Sequence, residues 1–600
     1  MDIMKPVAST EIPKGDEWVY EVKYDGFRCV LTWEKEGNIR LTSRNRKDLT
    51  ANFPEIVAFC EEHYSEVNSF LPLKLDAELV VLNHAFQANF SWIQKRGRLK
   101  NTESIHNAAT TRPAVLMVFD LVEIKGISCR DEKLTIRKKK LKSLFGKLET
   151  QDRMRLVESF SNAGEIQEVV FHAMGEGIVA KRKTGIYLSG KSHRDWFKIK
   201  NWRTIQGFLT TYNPENGYFA VGVFEGEHIK TIGKCKHGLD SESFQTLKQL
   251  FLTNGKKKAH VYSLPPAICA AIHTLDLYKN ELREPEFAKL LPTVKPEECT
   301  SDKLKLDLSM LPHEINLTNT DKFLWPKASY TKGDFLTYIR GISAYMLPFL
   351  LNRMLTVIRC PDGVDQEHFF QKHLPDYAPD FITAIPVEGD KAFVCDNLAS
   401  LVWFANHGSV EYHIPFQKVY RSVPAEIVFD LDPPDRDHFH LAIRAANLIK
   451  TLLDDLQLVS FVKTSGNKGL QIHIPIREGS MTYEETATFT QAIAWTIENS
   501  YPDLFTTERM KKKRHDRLYI DYVQHGKDKT IIAPYSPRMT DEGTIATPLF
   551  WNEVKEGLLP TQFTLENGID RVQELGCPFA DYFKIADVQK MDKVLRLVRE

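Results

Sequence analysis

The chain has 600 residues, 42% of them hydrophobic and 11% aromatic, which allows about four domains at the usual ~150 residues each and excludes a disordered chain. Its 79 lysines and arginines balance 79 aspartates and glutamates, so net charge draws in no nucleic acid, and any such partner must be gripped by local patches. Nine cysteines without a C-x-x-C pair argue against a disulfide framework and a zinc site; the start has no apolar signal core and the stretch 342–357 is broken by Pro348, Asn352 and Arg353, so a soluble, cytoplasmic protein with no membrane contact is expected.

In chain order, the first expected strand is Trp18 to Lys23, whose alternation puts Val19, Glu21 and Lys23 on one face. Asp25-Gly26 reads as a turn, and Phe27 to Trp33 as the strand returning beside the first. A second turn at Glu36-Gly37-Asn38 leads into Ile39 to Thr42, and Pro54 to Tyr64 is helical, so residues 1–200 read as a mixed α+β domain. Residues 201–291 hold short strands punctuated by glycine (Gly207 to Tyr212, Tyr218 to Phe224) and a lysine-rich loop, Lys256 to Lys258, which fit a small β-barrel. The segment 292–313 combines prolines and charges with no sustained period and is expected to link the two halves. Residues 314–600 alternate helices and strands. Leu441, Ala445, Leu448 and Leu452 mark an amphipathic helix, and strands are expected at Glu426 to Asp432, around Gln471 to Ile474, and at Leu518 to Asp521.

Lys23-Tyr24-Asp25-Gly26 fixes a lysine at a strand end beside a turn. Such an amine is a nucleophile if its pKa is lowered, for which neighbouring cations are the expected cause; a solvated hairpin lysine is the plain alternative. Downstream come Ser43-Arg44-Asn45, Leu75-Asp76-Ala77-Glu78-Leu79, Phe119-Asp120-Leu121, Glu176-Gly177-Ile178-Val179-Ala180-Lys181 and Trp196-Phe197-Lys198-Ile199-Lys200. In the last of these, alternation sends Lys198 and Lys200 to one face and the apolar residues to the other, a cationic ledge suited to phosphate.

In this order the motifs resemble those of the covalent nucleotidyltransferases, specifically the ATP-dependent DNA ligases, over roughly residues 1–290. The resemblance implies that Lys23 becomes AMP-linked and that Glu21, Arg28, Arg44, Glu78, Phe119, Glu176, Lys198 and Lys200 bind ATP. Phe119 would stack on adenine, Glu78 and Glu176 would serve ribose and metal, and the two lysines would hold the α-phosphate. It also implies an oligonucleotide-binding (OB) barrel over 201–291. Leu282-Arg283-Glu284-Pro285-Glu286-Phe287 fits the approach to the family's last motif, but Leu291 to Lys295 lacks its acid.

In the second half, Asp430-Leu431-Asp432 ends a strand and alternation points both carboxylates one way, with Asp521 at the end of another strand. Like charges sharing a surface call for a divalent cation, and strand-capping acids are the alternative. The string Leu317-Thr318-Asn319, Trp325-Pro326, Phe369-Phe370-Gln371-Lys372-His373, Glu411-Tyr412-His413, Asp430-Leu431-Asp432-Pro433-Pro434, Thr464-Ser465-Gly466, Lys468-Gly469-Leu470, Asp521-Tyr522 and Ala533-Pro534-Tyr535-Ser536 with Arg538 resembles the archaeo-eukaryotic-primase-like polymerase domain of bacterial ligase D. That resemblance implies metals on Asp430, Asp432 and Asp521 (as on Glu176 in the first half), catalysis by these aspartates, and nucleotide contacts from His413, Ser465, Lys468 and Arg538. Lys322 and Lys372 would read a template 5′-phosphate, with Phe369 or Phe370 stacking on a base. Gln471 stands where the family more often has His, and His525 where it often has Asn.

Together the halves resemble the bacterial ligase D family: a multidomain α+β enzyme with a nucleotidyltransferase domain (1–200), an OB barrel (201–291), a linker (292–313) and a polymerase domain (314–600). The expected cofactors are ATP and Mg²⁺ or Mn²⁺. The expected partners are broken or nicked DNA ends, NTPs or dNTPs and a Ku homodimer, with a nucleoid-associated location and work in non-homologous end joining. An RNA-repair or capping nucleotidyltransferase and a DNA-end bridging protein with silent sites are the alternatives. Basic runs at Arg137 to Lys142, Lys256 to Lys258 and Lys511 to His515 are read as DNA-phosphate grips or, more simply, as solvated faces.

Overall fold

In the computed structural model, which describes residues 2–387 and 389–599, the strand Trp18–Lys23 forms as its alternation predicts. It does not pair with Phe27–Trp33. Trp18–Lys23 is the edge of a four-stranded sheet, antiparallel to Gly177–Arg182, which pairs in turn with Trp196–Lys200. Phe27–Trp33 lies in a second, six-stranded sheet between Ile39–Ser43 and Leu73–Val80. Asp25-Gly26 is therefore a crossing between sheets and not a hairpin, because the partner that satisfies the first strand comes from far downstream. A Cβ on Gly26 would fall 2.3 Å from the carbonyl oxygen of Leu79, so only glycine lets the chain pass the second sheet this closely.

The six-stranded sheet buries Cys29, Leu31, Trp33, Leu75 and Leu121 against the helices Pro54–Glu62 and Leu134–Phe145. A second cluster, with Tyr20, Val22 and Ile178 from one sheet and Val80 and Met117 from the other, joins the two. Each such side chain contributes roughly 1.5–3 kcal/mol on full burial. The basic run on Leu134–Phe145 turns partly inward. Arg137 is fully buried, with Nε 2.7 Å and Nη2 2.8 Å from the Asp120 carboxylate, and Lys138 is ion-paired with Glu21. These two cations are thus neither solvated nor DNA-facing, which a composition-based reading of the run misses.

Arg203–Asn213 is the hub of a seven-stranded sheet, pairing with Tyr218–Glu225, Val261–Ser263 and Cys269–Thr274. Lys256–Lys258, expected as a loop, is a short exposed strand paired with Val261–Ser263. Within the segment 292–313, Ser301–Leu308 is a helix capped by Thr300, whose Oγ1 accepts from the Lys303 N–H at 3.1 Å. Its Leu304 enters the barrel core, and Asp307 Oδ2 accepts from the Gln206 N–H at 3.0 Å. Two helical turns flanked by prolines are too short to stand out as a period.

The chain divides into two compact units between Met310 and Leu311, with Gln573–Leu575 counted in the first. The second unit is built on two sheets. One runs in the order Phe505–Thr506, Leu518–Asp521, Glu426–Asp432, Leu470–Pro475, Phe461–Thr464, Pro548–Leu549; the other in the order Phe369–Gln371, Thr356–Arg359, Ser409–Pro415, Thr530–Ile532. The predicted helix is Phe439–Asp455. Glu426 is buried at the head of its strand, with Oε1 2.6 Å from Arg353 Nη1 and Oε2 accepting from the Tyr582 hydroxyl at 2.5 Å and lying 2.9 Å from His473 Nδ1. Burial pushes this carboxyl up, but Arg353, His473 and Tyr582 outweigh it and hold the group well below the ordinary value of 4.5. Among the described residues no helix is long and apolar enough to cross a membrane.

Replacing Arg137 by Met strands the Asp120 carboxylate in the core, and the expected loss is about 3–5 kcal/mol. It would appear as a lower denaturant midpoint for the first unit's transition at unchanged slope. Glu426 releases its proton more readily folded than unfolded, so its stabilisation is present above the ordinary 4.5 and lost as the pH falls below it. Glu426→Gln should lower stability at neutral pH yet flatten the acid limb of a melting-temperature profile; an unchanged acid limb would refute the assignment.

Candidate active sites

The crossing at Asp25-Gly26 leaves Lys23 at the floor of a cavity of about 650 Å³ lined from both sheets. All nine ligase-like positions meet there: Glu21, Lys23, Arg28, Arg44, Glu78, Phe119, Glu176, Lys198 and Lys200. Lys23 Nζ is ion-paired with Glu176 Oε1. Burial pushes the Lys23 ammonium down, but the carboxylates of Glu176, Glu78 and Asp25 overcome it, and the net shift is upward. Cations do not lower this lysine as the sequence led us to expect, because the acids beside it prevail. Their effect falls on Lys198 instead, which is pushed down by burial, Lys23 and Lys200. Burial raises Glu78 to about 8 against the pull of Lys23 and Arg28, and burial raises Glu176 as well.

Arg28 is locked in place. Its Nε and Nη2 lie 2.7 and 2.6 Å from the Asp76 oxygens, Nη2 also donates to the Met4 carbonyl, and the Tyr187 hydroxyl donates to Asp76 at 2.5 Å. Its guanidinium sits 4.6 Å from the centroid of the Phe119 ring.

Sequence reasoning misses two residues of this cavity, although both stand in its motifs. Lys181 closes the Glu176–Lys181 motif; it is buried, its Nζ is 2.6 Å from Glu21 Oε2 and 4.5 Å from the Phe119 centroid, and burial lowers it to about 8. Trp196 also lines the cavity. Alternation puts Trp196 on the same face as Lys198 and Lys200, so the lysine ledge carries an aromatic that counting only charges overlooks. The barrel reaches the cavity too, since Arg283 Nη1 lies 2.8 Å from Asp25 Oδ2. Although Leu291 to Lys295 holds no acid, Glu284 lines the cavity, and Lys200 Nζ is 2.7 Å from Glu284 and 3.2 Å from Glu286.

In the second unit, Asp430 and Asp521 are direct register partners on neighbouring strands, with Asp432 two residues on along the same face. Burial lifts Asp430 to about 6; Gln471, donating Nε2 to Oδ1 at 3.1 Å, opposes this, and Asp521 and Asp432 reinforce it. Asp432 is drawn to Lys468 at 2.9 Å and Arg514 at 3.2 Å. The Ser465 hydroxyl accepts from the Gly469 N–H at 3.0 Å, and Gly466 takes φ 72°, where a Cβ would lie 2.9 Å from the Ala546 nitrogen. His413 Nε2 and Arg538 Nε share the buried Glu411 carboxylate at 2.9 and 3.1 Å. Phe369 and Phe370 are exposed on the edge strand of the smaller sheet, and Arg359 stacks over Phe369. Lys322 pairs with Asp362 at 2.6 Å, while Lys372 is exposed.

The donor chemistry fits a divalent ion at both places. Glu176 Oε2 is buried without a hydrogen-bond partner among the described residues. In the second unit, three carboxylates repel one another across adjoining register positions. Among the described residues no three His, Cys, Asp or Glu side chains already converge as a finished ligand set.

Residues 4–200 match the family model described as ATP dependent DNA ligase domain, and residues 331–579 match that of the LigD primase-polymerase domain. The chain is 38% identical over 606 residues to the bifunctional non-homologous end joining protein LigD of Bacillus subtilis, covering 100% of this chain and 99% of that protein. It is 25% identical over 620 residues to the multifunctional non-homologous end joining protein LigD of Pseudomonas aeruginosa, covering 95% of this chain and 71% of that protein. Among solved structures, the polymerase domain from Mycobacterium tuberculosis ligase D in complex with DNA aligns at 29% identity and TM-score 0.42, over 45% of this chain and 97% of that one.

Proposed function

Because the chain belongs to the LigD family, we propose that it repairs broken DNA by non-homologous end joining with two activities: an ATP-dependent DNA ligase in the first unit and a primase-like polymerase in the second. The observation that carries the ligase reading is Lys23, held among acids at the floor of a cavity where Lys198, Lys200 and Phe119 converge. In the proposed first step the Lys23 proton passes to Glu176 Oε1, the freed amine forms a bond to the α-phosphorus of ATP, and the bond to the β-phosphate oxygen breaks to release pyrophosphate. Lys198 and Lys200 face the charge that builds on the phosphate oxygens. AMP then passes to a DNA 5′-phosphate, and a 3′-hydroxyl displaces it.

For the polymerase half, Asp430, Asp432 and Asp521 would hold Mg²⁺ or Mn²⁺, and Glu176 would serve such an ion in the ligase half. The metal's part is to stabilise charge on the transferring phosphate. The Ser465–Gly466 turn, Lys468, His413 and Arg538 would bind the NTP or dNTP, and Lys322, Lys372, Phe369 and Phe370 the template end. DNA ends and a Ku homodimer are the proposed partners. The similarity across both halves supports this reading over the capping, RNA-repair and end-bridging alternatives.

Incubation with α-labelled ATP should attach label to the wild type and none to Lys23→Ala; label retained by that variant would overturn the ligase assignment. Asp430→Ala should abolish primer extension while labelling persists, and extension by that variant would remove Asp430 from the metal site.

A further inference from the structure

The barrel meets the Lys23 cavity through one hairpin and the residues that follow it. Leu277–Tyr278 pairs with Glu281–Leu282 across Lys279 and Asn280, both at positive φ (52° and 62°), as a two-residue turn that suits the twist of its strands requires. The Arg283 backbone is then clamped: its N–H donates to the Asp276 carbonyl at 2.9 Å, and its carbonyl accepts from the Leu275 N–H at 3.1 Å and the Thr274 hydroxyl at 2.9 Å. Its side chain is engaged by Asp25 at 2.8 Å and lies 3.7 Å from the centroid of the Phe90 ring. Glu284 comes next at φ 49°, a left-handed conformation that strains a residue carrying a Cβ and persists only where the surroundings impose it. This turn brings an acid to the lysine ledge. Glu284 lines the cavity with Oε2 2.7 Å from Lys200 Nζ, and Glu286 Oε1 lies 3.2 Å from the same ammonium. Burial pushes the Glu284 carboxyl up, but Lys200, then Lys198 and Lys23, outweigh it and hold the group below its ordinary value.

We infer that Glu284 is an internal competitor for the nucleotide: a carboxylate carried on the barrel that claims the Lys200 ammonium and so raises the ATP concentration the ligase half needs. The inference rests on the reading of this cavity as the ATP site. Carboxylate and phosphate are both anions that seek the same ammonium. A phosphate arriving at Lys200 must displace Glu284 or lie against it, like charge on like charge. Only the fraction of molecules whose Lys200 is unclaimed binds at full strength, and the apparent affinity falls by that fraction. Displacement needs no movement of the barrel. The Glu284 side chain is more than half exposed and can swing into water, while Arg283 stays on Asp25. That exposure also makes the competition modest, as for other ion pairs open to solvent.

The test follows attachment of label from α-labelled ATP to the full chain over a range of ATP concentrations. Label at Lys23 of the wild type checks the underlying site, whatever Glu284 does. Glu284→Gln, which keeps the shape and removes the charge, should lower KM for ATP by about threefold, and Glu284→Gln combined with Glu286→Gln by about fivefold or more. The dissociation constant of α,β-methylene-ATP, which binds without passing on AMP, should fall by the same factor. Damage to the fold would weaken binding, so a gain in affinity tells competition from a structural role. An unchanged KM overturns the inference. So does a raised one, which would make Glu284 a contact for the nucleotide or its metal ion. If Glu284→Gln does not fold, Glu284→Gly carries the test: glycine adopts φ 49° without strain, the same fall in KM is expected, and no fall overturns the inference.

Discussion

Taking an ammonium out of water into the seam between two sheets is costly unless acids go with it. Lys23 meets this condition through Glu176, Glu78 and Asp25, drawn from three separate stretches of chain. The arrangement depends on the Asp25-Gly26 crossing, which hands the chain from one sheet to the other immediately after the lysine. It also depends on Gly26, whose missing side chain lets the backbone pass Leu79. Arg28, two residues further, is tied to Asp76 and Tyr187 and forms a fixed wall behind Phe119. The cavity is thus assembled by the same few residues that stitch the sheets together.

In the second unit one row of the larger sheet does comparable work. Lys463, Gln471, Asp430 and Asp521 occupy successive register positions across four strands. Lys463 is wholly buried, and burial with the nearby Arg538 lowers it to about 7. The two departures from the family's pattern are each satisfied at one atom only, Gln471 Oε1 and His525 Nδ1 being buried without a hydrogen-bond partner among the described residues. Gln471 supplies a donor to Asp430, and His525 lies 3.0 Å from the Thr486 hydroxyl, its imidazole lowered to about 4 by burial.

What can be read from the sequence divides by range. Strands whose alternation is strong, such as Trp18–Lys23 and Glu426–Asp432, and the amphipathic helix Phe439–Asp455 lie where local periodicity puts them. Pairing is not legible. The Asp-Gly signal promises a hairpin, but long-range pairing with Gly177–Arg182 replaces it. Charge is legible as composition but not as position: Arg137 and Lys138 stand in a run of cations that looks solvated, yet they turn inward to Asp120 and Glu21. Trp196 is visible by alternation and easily passed over because its neighbours on that face are charged. The net shift of Lys23 takes the opposite sign to the one expected, because sequence order does not tell whether acids or cations come closest.

The reach of the barrel into the Lys23 cavity has a thermodynamic corollary. Lys200 is shared between the space where phosphate is expected and the barrel's Glu284 and Glu286. Occupancy of Lys200 by one is loss to the other, and such couplings are reciprocal. Whatever anion claims this ammonium slackens the barrel's grip by the same free energy that the grip subtracts from the anion's affinity.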